Sequence, residues 1–358
     1  MRRLVPALGV IALASPAAMS QEIAKGLFLE GYSDNIFSYT AAAPVGTPDS
    51  ASFSTAAVLH VGWKLNDQVA SKLNLQFNST GPVDVAYLRE SFVSLTPGNG
   101  VSVTFGKFIS HIGWQAAEST GLYRVNAAPN TGTIYGADSA VGTSVGWSNE
   151  TVSVAALVAN GFLGADGAGN GNADAASKTN PGHTLGYGLD FTYNLPNKLG
   201  TVNLEWAYDP SFSASGGANQ FGVNTTLKPT DKLLVAAEVI YRAASGAVLD
   251  EDGKADSKND LFAFFIANHV LPTDEALFPS SASLSFSRYA PGYDTAHSTN
   301  VTTAASNEVA VAWLTNPLNT TGFGLNFEVA QTTFDGEGPA SATDDAIRFA
   351  IEGLVVIP

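Results

Sequence analysis

Apolar residues recur at every second position through much of this sequence, in runs of about ten residues. In residues 183–195, Leu185, Tyr187, Leu189, Phe191, Tyr193 and Leu195 alternate with Thr184, Gly186, Gly188, Asp190, Thr192 and Asn194. In residues 69–78, Leu73, Leu75 and Phe77 alternate with Lys72, Asn74, Gln76 and Asn78. The pattern returns in 201–208 (Val202, Leu204, Trp206, Tyr208) and in 321–330 (Phe323, Leu325, Phe327, Val329). A period of two places one side of an extended chain in an apolar medium and the other in a polar one. A soluble antiparallel sandwich also alternates. Here, however, the apolar face is aromatic-rich and runs for the length a tilted strand needs to cross a bilayer.

Composition agrees with lipid on the outside. Charged residues make up 14% of the 358, against about 25% in soluble chains. No segment of 18 uninterrupted apolar residues occurs, so membrane crossing by helices is not indicated. Residues 1–20 form a separate unit: Arg2 and Arg3, an apolar stretch over 4–14, then Ala18-Met19-Ser20 with small residues before Gln21. These are the parts of a cleavable secretory signal peptide, leaving 21–358 as a single domain. Its removal takes two of the 17 basic residues and none of the 32 acidic ones, so the formal net charge of -15 becomes 15 − 32 = -17. So acidic a chain repels phosphate backbones, and nucleic-acid binding is disfavoured. The absence of cysteine removes disulfide scaffolds, thiol nucleophiles and Cys-ligated zinc.

The alternation yields sixteen candidate strands, near 25–33, 51–64, 69–78, 83–96, 101–109, 139–147, 151–160, 183–195, 200–209, 218–227, 232–243, 259–270, 277–289, 305–314, 320–332 and 345–357. Facing is ambiguous in three of them; in 259–270, for instance, Phe262, Phe264 and Ile266 compete with Leu261, Ala263 and Phe265. Alternate connections are short and turn-like, such as Asn66-Asp67-Gln68 and Gly98-Asn99-Gly100. The others are mostly long and polar: 34–50, 110–138, 161–182, 210–217, 244–258, 290–304 and 333–344, with 79–82 the short exception. Sorting of this kind builds a transmembrane antiparallel β-barrel of about 16 strands, with short periplasmic turns and long extracellular loops, in a bacterial outer membrane. Trp63, Trp147 and Trp313 near short turns, and Tyr208 and Tyr241 near long-loop ends, suit the two interfacial girdles.

The stretch Arg89-Glu90-Ser91-Phe92-Val93-Ser94-Leu95 leads through a Pro-Gly-Asn-Gly turn to Val103-Thr104-Phe105-Gly106-Lys107-Phe108. After it come His111-Ile112-Gly113-Trp114, Glu118-Ser119, Tyr123-Arg124, Pro129, Thr131-Gly132 and Val158-Ala159-Asn160-Gly161-Phe162. This run, covering roughly 85–195, resembles the β-barrel porin-2 family of Gram-negative bacteria. The resemblance implies a passive outer-membrane pore for small hydrophilic solutes and ions, with outer-membrane lipids and lipopolysaccharide as surroundings. General porins are often trimers; a homotrimer is left open, and no residue of the sequence marks an interface. The resemblance also implies that the longest connection, 110–138, folds inward and narrows the channel. Its candidate constriction residues are His111, Trp114, Gln115, Glu118, Tyr123, Arg124 and Asn126.

If the apolar series faces lipid, the alternate positions face the lumen. The inward charges are then Lys72, Asp190, Glu205, Glu238, Arg242, Glu308, Glu328, Arg348 and Glu352. Six of the nine are acidic, and carboxylates along a pore favour cations.

Other chemistry finds little support. Residues 250–256 have the carboxylate density of a calcium loop without the spacing of an EF-hand, and read as an exposed acidic loop. The five histidines show no zinc-binding spacing, and no cofactor or phosphate-cradling motif occurs. Two other functions stay open: a non-conducting adhesin or structural barrel, and a barrel hydrolase using His111 or His297 with Ser110 or Asp294 beside them. An enzyme is not expected.

Overall fold

The computed structural model describes residues 21–42, 49–80, 83–109, 111–114, 123–128, 131–135, 139–161, 163, 185–213, 216–249, 255–272, 280–292, 305–316, 322–335 and 345–357. The alternating segments all form strands: β1 (Gln21–Ala24), β2 (Leu27–Ala42), β3 (Ser50–Lys64), β4 (Val69–Thr80), β5 (Val83–Gly98), β6 (Val101–Ile109), β7 (Ser139–Ser148), β8 (Val152–Ala159) and β9 (Gly186–Asn194). There follow β10 (Gly200–Ser213), β11 (Gly216–Thr230), β12 (Leu233–Leu249), β13 (Ala255–Val270), β14 (Ser280–Gly292), β15 (Ala305–Thr315), β16 (Phe323–Asp335) and β17 (Ala346–Ile357). Each strand pairs antiparallel with the next. The ladder closes when β17 pairs with β2, from Ala346↔Ala42 to Ile357↔Gly31. Sixteen strands complete the ring, and the four-residue β1 folds back on the start of β2. Closure leaves no sheet edge unpaired, the condition for strands to cross a bilayer.

The period of two becomes inside and outside. In β9, Tyr187, Leu189, Phe191 and Tyr193 are exposed outward, while Gly186, Gly188 and Asp190 are buried inward. In β13 the competition resolves with Phe262, Phe264 and Ile266 inside and Leu261 and Phe265 outside. A bulge where Asn74↔Glu90 gives way to Leu75↔Leu88 shifts the facing of β5 midway, so no single alternation fits that strand. Trp63, Trp147 and Trp313 all project outward near the short-turn end.

Several strands run further than their apolar pattern. Residues 34–42, expected within a loop, continue β2 to Ala42. Most of 210–217 belongs to β10 and β11; 244–249 and 255–258 extend β12 and β13; 290–292 extend β14. Backbone pairing needs no lipid, so the ladder outlasts the alternation that lipid imposes.

Inside the barrel lies an apolar cluster, unexpected in a water-filled lumen. Phe108 of β6, Ala140 of β7, Leu157 of β8, Ile240 of β12 and Phe262, Phe264 and Ile266 of β13 pack with Ile112, Trp114, Ile134 and Tyr135. Among the described residues, β2, β3, β4, β15, β16 and β17 contribute nothing to it.

Candidate functional site

The segment between β6 and β7 enters the barrel and follows its inner wall strand by strand. His111 comes first: its ring is buried, with Nε2 3.5 Å from Asp190 Oδ1 on β9. Gly188, the inward neighbour two residues before Asp190, makes room. A Cβ there would stand 2.7 Å from the imidazole Cε1, so a side chain at 188 would push the loop off the wall. Burial lowers the His111 pKa from 6.5 to about 4, partly opposed by a hydrogen bond to the Trp206 backbone.

The next two residues meet carboxylates through their backbones. Gly113 N–H donates to Glu205 Oε2 of β10 at 3.0 Å, and Trp114 N–H donates to Glu238 Oε1 of β12 at 2.5 Å. The Trp114 indole N–H reaches Thr226 Oγ1 of β11 at 2.8 Å. Its ring stacks on Phe264 at 5.6 Å between centroids and on Tyr123 at 6.3 Å. Gly113 has φ +93°, which a side chain rarely adopts, and a Cβ there would lie 2.4 Å from the Tyr135 ring.

Further along, the Tyr123 carbonyl accepts from the Ser283 hydroxyl of β14, and burial raises the Tyr123 pKa. Arg124 then ends in a four-membered ion network. Its Nη2 lies 2.6 Å from Glu308 Oε1 on β15, and its Nε 3.2 Å from Glu328 Oε2 on β16. Arg348 of β17 closes the set from the wall, 2.9 Å from Glu328 Oε1 and 3.4 Å from Glu308 Oε2. Two guanidinium groups thus balance two carboxylates. Burial alone would lower the Arg124 pKa, but Glu328 and Glu308 outweigh it and hold the group raised. Glu328 also accepts from the Val125 and Asn126 backbone N–H groups at 3.0 and 3.3 Å, and from Asn126 Nδ2 at 3.2 Å.

From Asn126 the chain turns back through a five-residue helix, α1 (Thr131–Tyr135), whose first hydroxyl donates to the Ala128 carbonyl at 3.0 Å. Tyr135 packs edge-on against Phe262, and its hydroxyl donates to Glu238. The next long connection begins the same way, with Leu163 buried and its N–H on Asp209 Oδ2 at 3.3 Å.

Of the loop residues singled out from the sequence, His111, Trp114, Tyr123, Arg124 and Asn126 therefore lie inside the barrel along β9–β16. Gln115 and Glu118 lie outside the described residues, as do Ser110, His183, Asp294, His297 and residues 250–254. All nine charges expected to face inward are on the inner face. Asp190, Glu205, Glu238, Glu308 and Glu328 face the loop. Arg242 pairs with Asp260 of the adjacent strand at 2.5 Å, and Lys72 with Glu90 at 2.7 Å. Glu352 accepts from Asn326 at 2.5 Å and lies beside Asp34. Sequence reasoning passed over Ser283, Tyr135, Asp209 and Ser285, whose hydroxyl accepts from Arg124 Nη1 at 3.2 Å. Period two did mark the serines, at 281, 283, 285 and 287, but as a facing ambiguity only.

No protein-family model and no curated protein matches this sequence. Solved structures do match in fold. The outer membrane channel DcaP of Acinetobacter baumannii superposes with a TM-score of 0.67 at 11% identity, covering 94% of this chain and 99% of that one. An anion-selective porin from Comamonas acidovorans gives 0.61 at 11% identity, over 92% and 99%. OmpF of Salmonella typhi gives 0.60 at 12%, over 93% and 100%. The fold is thus that of a porin-like barrel.

Two outcomes follow from the latch. Arg124→Met leaves two carboxylates, Glu308 and Glu328, against the one guanidinium of Arg348 in this network, and stripping one partner from a buried pair costs about 3–5 kcal/mol. Urea unfolding of refolded protein should show that loss, and an unchanged midpoint would contradict it. His111 sets a pH dependence. Between pH 6.5 and about 4 the unfolded chain binds a proton at His111 that the folded one does not. Stability therefore falls as the pH drops through that window, by up to about 3 kcal/mol, and the His111 contribution levels off below it. His111→Gln should flatten that part of the profile; an identical profile would show that the ring is not buried neutral.

Proposed function

We propose that this chain is a passive, water-filled pore of the Gram-negative outer membrane, of the porin-2 type, for small hydrophilic solutes and ions. The observation that carries the reading is the loop inside the barrel. A closed ring of about 16 strands is wide enough to hold an aqueous channel. Here one wall is occupied by a latched loop, while β2, β3 and β4 keep inward polar side chains such as Asp34, His60, Lys72, Asn74 and Gln76. The loop then sets the narrowest passage, with His111, Trp114, Tyr123, Arg124 and Asn126 fixing its course and Gln115 and Glu118 belonging to its span. Residues 1–20 act as the export signal, and the mature chain is a single barrel without enzymatic activity. Lipid and lipopolysaccharide surround it. OmpT of Vibrio cholerae, a solved barrel of similar fold, occurs in a trimer form, and a homotrimer is the assembly proposed for this chain.

Cation preference is the finer part of the proposal. An anion-selective porin has a similar fold, so the fold does not decide the sign; the wall does. Asp190, Glu205, Glu238, Glu308 and Glu328 are engaged by the loop, which shifts the burden to the polar wall opposite. There Glu30, Asp34, Glu90 and Glu352 stand against Lys72 and Arg89.

Planar bilayers holding refolded protein that starts at Gln21 test these points together. The expected result is stepwise conductance, a cation-selective reversal potential in a salt gradient, and larger steps once 115–130 is shortened. Zero conductance would leave a non-conducting adhesin barrel. An anion-selective potential would overturn the charge assignment, and unchanged steps would overturn the constriction.

A further inference from the structure

Asp190 of β9 and Glu205 of β10 are direct partners in the ladder, and both face inward. Like charges set opposite each other on one sheet face repel, and here the loop also shuts them away from bulk water. The row that holds them is otherwise small: Ala155 stands beside Asp190, and Gly222 beside Glu205. Glu238 is close by. Asn224, its partner between β11 and β12, donates from Nδ2 to Glu205 Oε1 at 2.6 Å. Three carboxylates thus gather under the first residues of the loop.

Elsewhere on the inner wall buried acids meet bases. Glu308 and Glu328 face Arg124 and Arg348, Asp260 faces Arg242, and Glu90 faces Lys72. Among the described residues, no Lys or Arg pairs with Asp190, Glu205 or Glu238. The two glutamates at least receive donors, from Gly113 and Asn224 and from Trp114 and Tyr135. Asp190 receives none. Its side chain is 8% exposed, and neither carboxyl oxygen accepts a hydrogen bond, His111 Nε2 standing 3.5 Å away without making one. An anion left without donors in so dry a place is expensive. Between loop and wall, Asp190 lines a cavity of about 50 Å³ together with Glu205, Thr192, Asn203 and Asn224.

We propose that this cavity is a cation site, which takes a hard divalent ion such as Ca²⁺ between Asp190 and Glu205. Among the described residues, no three His, Asp or Glu side chains converge as a transition metal would require. The ion is therefore one that accepts carboxylate, amide and water oxygens. Asp190 supplies both of its oxygens. Glu205 adds the lone pairs that Gly113 and Asn224 leave unused. Asn203 turns its Nδ2 to Asn224 Oδ1 at 2.5 Å, which leaves its carbonyl oxygen for the ion. The Thr192 hydroxyl and water complete the set, and the cavity has room for water. Such an ion ties β9 and β10 together under the start of the loop, as Arg124 ties β15 and β16 under its far part. Lying behind the loop, it is a fixture rather than a permeating ion, and the site does not depend on the chain being a pore.

Refolded protein starting at Gln21, stripped with a chelator, is titrated with CaCl₂ in a calorimeter. Carboxylates outside the barrel also attract Ca²⁺, so the comparison is with Asp190→Asn, which keeps the shape and removes the charge. The variant should bind one ion fewer per chain. In urea unfolding, CaCl₂ at about 5 mM, above the millimolar range of extracellular calcium modules, should raise the midpoint of the unaltered protein, because it binds the folded state. The midpoint of Asp190→Asn should stay in place. Asn203→Asp, which adds a carboxylate to the same cavity, should bind Ca²⁺ several-fold more tightly. Equal uptake and equal midpoint shifts with and without Asp190 would mean exterior binding only and overturn the site, as would an affinity unchanged by Asn203→Asp. A protein that conducts but takes up no Ca²⁺ overturns the site and spares the pore. One that binds Ca²⁺ through Asp190 and passes no current does the reverse.

Discussion

Carboxylates on the inner wall organise this molecule. Asp190, Glu205, Glu238, Glu308 and Glu328 stand on β9, β10, β12, β15 and β16, four of them nearly inaccessible to water. A buried carboxylate is tolerated only when donors surround it, and for the four glutamates most of the donors come from one loop. Backbone N–H groups of Gly113, Trp114, Val125 and Asn126, the Arg124 guanidinium and the Tyr135 hydroxyl all end on these carboxyl oxygens. With these donors satisfied, the loop can turn Ile112, Trp114 and Ile134 against Phe262, Phe264 and Ile266. The apolar cluster and the ion network are thus two sides of one docking event.

That docking makes the barrel lopsided. From β6 to β16 the inner wall is padded; among the described residues β2, β3 and β4 give nothing to the apolar cluster, and their inward side chains, such as Asp34, His60 and Asn74, are polar. In the proposed pore that polar side is the solute path. Its outer face is also where lipid-facing residues give way to Ser33, Asn35 and Thr55.

The sixteen strands were legible because lipid enforces alternation at every crossing. Where lipid does not act, the signal fails. Beyond the apolar band the ladders of β12 and β13 continue unseen. In β2 the reason is more informative: Ser33 and Asn35 put polar groups on the lipid side, so the pattern stopped at residue 33 while the strand ran on to Ala42. Inward aromatic residues misled in a second way, because Phe262 and Phe264 look lipid-facing until the loop that covers them is known. The acidic positions were found, yet periodicity reports only which side a residue faces. It could not tell a carboxylate that meets ions from one that holds a loop.

Hydrogen–deuterium exchange of refolded protein in lipid tests the docking most directly. Loop amides open to water would exchange at once. Gly113, Trp114, Val125 and Asn126, held on Glu205, Glu238 and Glu328, should instead be as slow as the flanking strand amides of β6 and β7, and should speed up in Glu328→Gln at 125 and 126. Fast exchange at all four in the unaltered protein would mean that the loop is not fastened to the wall.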